Sequence, residues 1–155
     1  MTDDLLGQIL STLSDDAAIK RFDRDHRARL KFYEQIARAC GHEVVLIHGA
    51  PAIALDVREV AASISQGRPP KRGSWTGTGN YLNDVQAVLD QVVPKDATAV
   101  LTIDGPITRA SVEHYVDRGG IESFWAYGDG QSAVPARALL DAAMRCRADM
   151  GRDAP

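Results

Sequence analysis

Residues 99–130 read AVLTIDGPITRASVEHYVDRGGIESFWAYGDG, and the way this stretch is divided decides the fold. Two apolar runs, Ala99 to Ile103 and Ile121 to Tyr127, each lead into a cluster of Asp and Gly. Between them lies Pro106 to Arg118, which is long enough for the crossover of about a dozen residues that joins two parallel strands. Pro106 suits a first helical turn, and Gly119 with Gly120 suits a helix stop. The spacing therefore predicts strand, helix, strand, with the two strands parallel.

The flanking segments extend this pattern. Glu43 to Ile47, EVVLI, is a β-branched run that ends in His48 and Gly49 and reads as the first strand. Ala50 and Pro51 either open a loop or turn the chain so that Ala52 to Leu55 pairs back as a hairpin. Asp56 with Glu59 is a variant capping box for a helix whose inner face is Val57, Val60, Ala61 and Ile64, ended by Gly67. Asn80 opens a helix with Tyr81, Leu82, Val85, Val88, Leu89 and Val92 inward, stopped by Pro94. A last helix is expected from about Ala133 to Met150. At the N-terminus Leu5, Leu6, Ile9, Leu10 and Leu13 share one helical face, and a second helix is expected from Ser14 to about Cys40. The fold class implied is α/β: a small, mainly parallel sheet of three or four strands with helices on both faces, a Rossmann-like three-layer sandwich, plus an N-terminal helical hairpin. One domain over 1–155 is expected, with the hairpin in 1–41 and the α/β core in 42–150.

The 155 residues are 45% hydrophobic and 25% charged, with a net charge of −3, the balance of an ordinary globular chain with no global pull toward nucleic acid or acidic lipid. The bases Arg24, Arg27, Arg29 and Lys31 alternate with Asp23 and Asp25, which repel phosphate, so nucleic-acid binding is disfavoured. No run approaches the roughly 18 apolar residues of a membrane span, and no basic leader precedes the first helix. Cys40 and Cys146 are far apart in sequence and read as reduced core thiols, which points to the cytoplasm.

If the strands are parallel, their polar ends converge on one rim, where ligands of open parallel sheets bind. The rim would hold His48, Asp104 and Asp129 as candidate catalytic groups, with His48 as acid or base and the two carboxylates as hydroxyl acceptors or magnesium ligands. Gly49, Gly105, Gly128, Gly130, Gln131 and Ser132 would supply backbone and side-chain contacts, and Arg109 would reach a phosphate. Gly67 to Gly79, GRPPKRGSWTGTG, is the one long aperiodic stretch, and its Lys71, Arg72 and Trp75 suit either a ligand clamp or a partner contact. The same glycines and aspartates also serve ordinary turns. There is no Gly-x-Ser-x-Gly elbow, no Cys-x-x-Cys and no phosphate loop ending in Gly-Lys-Ser or Gly-Lys-Thr, so the sequence decides neither enzyme activity nor a cofactor. Two functions follow as expectations. The first is binding of a small anionic or nucleotide-like ligand at the strand ends, with catalysis possible there. The alternative is a protein-binding module, an adaptor, inhibitor or immunity-type partner, that uses the N-terminal helices and the Gly67–Gly79 loop.

Overall fold

In a computed structural model, which describes residues 2–152, the chain forms six α-helices, one short 3-10 turn and six strands in two separate three-stranded sheets. Every strand pair is antiparallel. The mainly parallel, Rossmann-like sheet with helices on both faces is therefore overturned.

The error lies in residues 106–118. The first sheet joins β1 (Val44–Ile47), β2 (Ala50–Ala54) and β3 (Trp75–Gly77), and the second joins β4 (Thr98–Asp104), β5 (Ile107–Val116) and β6 (Phe124–Ser132). The segment expected as a crossover helix is the central strand, β5. Its residues follow a period of two, with Thr108, Ala110 and Val112 buried and Arg109 and Glu113 exposed between them, and its Ile, Thr and Val side chains favour a pleated surface. Asp104 pairs with Ile107 across Gly105 and Pro106. Gly105 has φ 61°, and Pro106 has its fixed negative φ, the combination of a two-residue type II′ hairpin. Gly119 and Gly120 belong to the connection from β5 to β6, with a 3-10 turn at Gly120–Glu122.

His48 and Gly49 have the same kind of role in the first sheet. Ile47 pairs with Ala50 across them, and both have positive φ, 54° and 78°, as a type I′ turn requires. The hairpin alternative for the residues after Pro51 is thus the one adopted.

The helices are α1 (Thr2–Leu13), α2 (Asp16–Phe22), α3 (His26–Ala39), α4 (Val57–Ser65), α5 (Val85–Gln91) and α6 (Pro135–Met150). The long helix expected from Ser14 to Cys40 is divided into α2 and α3. Asp15 accepts from the Ala17 N–H and Asp25 from the Ala28 N–H, each at 3.0 Å, so each acid caps a new start. The N-terminal part is accordingly three helices rather than a hairpin of two. Helix α4 has the expected Asp56 cap, yet Val57 and Ile64 are half exposed and Val60 alone of its expected apolar face is buried. Helix α5 starts at Val85, after Asp84 as its cap. Tyr81 and Leu82 precede it, and Asn80 accepts a 2.6 Å hydrogen bond from the Tyr33 hydroxyl.

Helix α6 lies on one face of the second sheet, and α1 and α5 pack against α6 in turn. The main core joins Ile9, Phe32, Ile36, Val88 and Val92 to Val112, Leu139, Leu140 and Met144, each large aliphatic or aromatic side chain contributing roughly 1.5–3 kcal/mol by burial. A smaller cluster of Ala37, Val44 and Ile53 holds the first sheet under α3. No helix among the described residues is long and apolar enough to cross a membrane.

Candidate interaction face

Alternation along β5 and β6 divides the second sheet into two unlike faces. Toward α6 point Thr108, Ala110 and Val112, with Phe124, Ala126 and Gly128 beside them, all buried. Away from α6 point Arg109, Ser111, Glu113 and Tyr115 of β5, then Trp125, Tyr127, Asp129 and Gln131 of β6, and Val100 and Thr102 of β4. On this open face Trp125 is 62% exposed, Val100 51%, and Tyr115 and Tyr127 48% each.

Cross-strand register assembles the face. Tyr115 stands opposite Trp125 with ring centroids 5.3 Å apart and the rings tilted by 55°, a pair worth roughly 0.2–1 kcal/mol to the sheet. Glu113 is opposite Tyr127, Ser111 opposite Asp129 and Arg109 opposite Gln131. Among the described residues, Arg109, Glu113, Asp129 and Asp104 form no ion pair with one another or with any other side chain. An open hollow of about 630 Å³ runs over Thr102, Arg109, Ser111, Tyr127 and Asp129 to the rim of α6, where Arg145 pairs with Asp141 at 3.1 Å. Burial raises the pKa of Asp141, Arg145 opposes that rise, and the neighbouring Asp129 adds to it.

The residues singled out in the sequence separate into three groups. Arg109, Asp129 and Gln131 do come together, on the open face. Asp104 lies on the same face at the far end of β4, opposite Ile107, whereas Asp129 is opposite Ser111. That offset is roughly 13 Å along the strand and about 10 Å across it, so the two carboxylates do not converge. His48, Gly49, Lys71, Arg72 and Trp75 belong to the first sheet and its connections, and Trp75 is half-buried in β3 opposite Ala54.

Gly105 is a turn residue, and the Ser132 hydroxyl accepts from the Val134 N–H at the entry to α6. Gly128 and Gly130 have a packing reason. A Cβ on Gly128 would lie 2.2 Å from the Ala142 carbonyl oxygen, and one on Gly130 would lie 2.3 Å from that of Ala138. They are the floor on which the Ala-rich helix α6 rests.

The side chains that dominate the open face, Val100, Glu113, Tyr115, Trp125 and Tyr127, are absent from the sequence-based candidates. Alternation could have found them, because Trp125 and Tyr127 share a parity with Asp129 and Gln131 and oppose Phe124, Ala126 and Gly128.

A larger cleft, of about 890 Å³, lies between the α5–β4 connection and the end of α6. His42 Nε2 lies 2.7 Å from the Gln91 carbonyl and Arg147 donates to the Val92 carbonyl at 2.6 Å, so these two walls serve the fold. Burial raises the Cys40 and Cys146 thiols to about 11, which leaves both protonated and unreactive at neutral pH.

Comparison with protein-family models, with curated proteins and with solved structures found no match.

Proposed function

We propose that this chain is a protein-binding module and that the open face of the second sheet is its docking surface. The observation that carries the proposal is the cluster of Tyr115, Trp125 and Tyr127, exposed together on adjacent strands, with Glu113 opposite Tyr127 and Asp129 next along β6 on the same face, neither of which has an ion-pair partner among the described residues. Large aromatic side chains on a preorganised surface are the residues that carry most binding energy, and a contiguous apolar patch rimmed by polar groups marks an interaction site. Three acids, Asp104, Glu113 and Asp129, face one cation, Arg109, on this surface, and the chain as a whole carries −3. The partner that fits is a folded protein with an apolar centre and a Lys- and Arg-rich rim. An adaptor, inhibitor or immunity-type role has this chemistry, and the free cysteines Cys40 and Cys146 suit a reducing compartment such as the cytoplasm.

Native mass spectrometry of the protein isolated gently from its own host tests the proposal. The expected result is a stoichiometric second polypeptide that is lost with Trp125→Ala, weakened by Glu113→Lys and retained with Leu46→Ala on the first sheet. A polypeptide that survives Trp125→Ala overturns the proposal. So does a bound small molecule in its place, which would return attention to Arg109 and the hollow beside it.

A further inference from the structure

The second sheet has two edges, and only one of them is covered. At β6 the Tyr127 N–H donates to Asp149 Oδ2 at 2.9 Å, and Arg152 donates to the Trp125 carbonyl at 3.4 Å. Two groups at the end of α6 and just beyond it thus occupy the main-chain positions that another strand would need. At β4 no described residue does the same.

The groups that β4 leaves free follow from the alternation of an antiparallel ladder. Tyr127 turns its N–H outward, so Glu113 and Tyr127 are a non-hydrogen-bonded pair, and Val112 and Gly128 are a hydrogen-bonded one. Val112 therefore bonds to β6, and Ser111 and Glu113 direct their main-chain groups to β4. Their partners there are Val100 and Thr98. The main-chain N–H and C=O groups of Ala99, Leu101 and Ile103 consequently face the free edge. The pairing of β4 with β5 runs unbroken from Thr98 to Asp104, so no bulge twists the edge away. The strand TAVLTID contains no Pro, Lys or Arg, and its one charged residue, Asp104, stands at the turn end, so the central part of the edge has none of the residues that normally blunt an exposed strand. Leu101 is 38% exposed and Ile103 74%, so apolar side chains flank the free groups.

We propose that two copies of this chain pair through β4, edge to edge and antiparallel, about a two-fold axis at Leu101. The strand is complementary to itself in this register. Leu101 meets Leu101 of the partner subunit, and Ala99 meets Ile103 of the partner subunit, so all three outward-facing residues exchange both main-chain bonds and bring apolar side chains together on the α6 side. On the open face Val100 meets Thr102 of the partner subunit and Thr98 meets Asp104 of the partner subunit, so no like charges are opposed. A slip of two residues leaves outward-facing groups unpaired at both ends. The dimer is an isologous one. It fuses the two sheets into one of six strands and leaves both open faces accessible.

Sedimentation equilibrium of the full chain, from micromolar to near-millimolar concentration, gives the first readout: a monomer–dimer equilibrium is expected. Leu101→Lys places two like charges at the axis, and Leu101→Pro removes the outward N–H while sparing the ladder to β5; both variants are expected to be monomeric with unchanged circular dichroism. Amide hydrogen exchange of the unaltered chain gives the second readout and requires no variant. The amides of Ala99, Leu101 and Ile103 are expected to exchange slowly at high concentration and to lose protection on dilution, while Val100 and Thr102 stay protected throughout. A chain that remains monomeric across the whole range overturns the proposal. A dimer in which those three amides exchange freely, or one that persists in a folded Leu101→Lys or Leu101→Pro variant, overturns it equally.

Discussion

The two faces of the second sheet come from the same strands, one residue out of phase, and they have opposite chemistry. The part of the face covered by α6 is made of Ala, Gly, Val and Phe with the buried Thr108, and its glycines are as close to helix backbone as atoms allow. The other carries Trp, two Tyr, an Arg and several acids, all reaching solvent. In this sheet the smallest residues mark what is fixed and the largest mark what is offered. A ligand-binding reading of the glycines and a core reading of the aromatics both invert the arrangement.

Substitution breaks the comparison most sharply at Gly128. Gly128→Ala drives a methyl group into the Ala142 carbonyl and the Cys146 N–H, 2.2 and 2.3 Å away, and is expected to destabilise by about 3 kcal/mol or more because helix backbone must move. Denaturant unfolding checks it, and a change below about 1 kcal/mol would mean that α6 does not rest on β6 as described. Trp125→Ala removes a far larger side chain from the opposite face, yet is expected to cost only about 0.2–1 kcal/mol, the share of its pairing with Tyr115. The same unfolding measurement orders the two variants.

The edge of β6 lies between the faces. Asp149→Ala leaves the outward Tyr127 N–H to water and is expected to cost about 1 kcal/mol, with faster exchange of that amide as the local readout. The smallest effect concerns Asp141. Its raised pKa means that the folded chain holds the proton more tightly than the unfolded one. Stability from this group therefore falls as the pH rises from the ordinary aspartate value through the raised one, and remains lower above it. Asp141→Asn is expected to flatten that part of the stability profile between pH 3 and 7, measured as midpoint temperature against wild type; a steeper slope in the variant would contradict the sign.

Much of the local structure was legible in the sequence. The cap Asp56, the strand at Val44–Ile47, the start of α6 and the burial of Tyr81, Leu82, Val88 and Val92 follow from capping chemistry and periodicity, whereas the cap expected at Ser14 falls one residue later, on Asp15. The segment from Ile107 to Val116 was misread because its ends carry signals with two meanings. Pro106 begins helices and also fills the second position of a II′ turn, and Gly119 and Gly120 stop helices and also join strands. Its interior held the answer in the alternation of Thr108, Ala110 and Val112 with Arg109, Ser111 and Glu113. That single reversal changed parallel to antiparallel and dissolved the expected rim, leaving Arg109, Asp129 and Gln131 together for a different reason. The division of α2 from α3 was hidden among charges, where Asp25 looked like one ion-pairing residue among many and is a cap.

The order of elements along the chain bears on how it is made. Strands β4 to β6 and α6 are consecutive, joined by short turns, and contact one another closely within residues 98–150. Local contacts of this kind form quickly. The helices they complete, α1 and α3, carry Ile9, Phe32 and Ile36 and emerge from the ribosome long before Leu139 and Met144, with which they share a core. A growing chain therefore holds an uncovered apolar helical surface until its last third has been synthesised. Over that interval, at a synthesis rate of about 5–20 residues per second, the apolar surface left open lies on the N-terminal helices, and the arrival of α6 covers it.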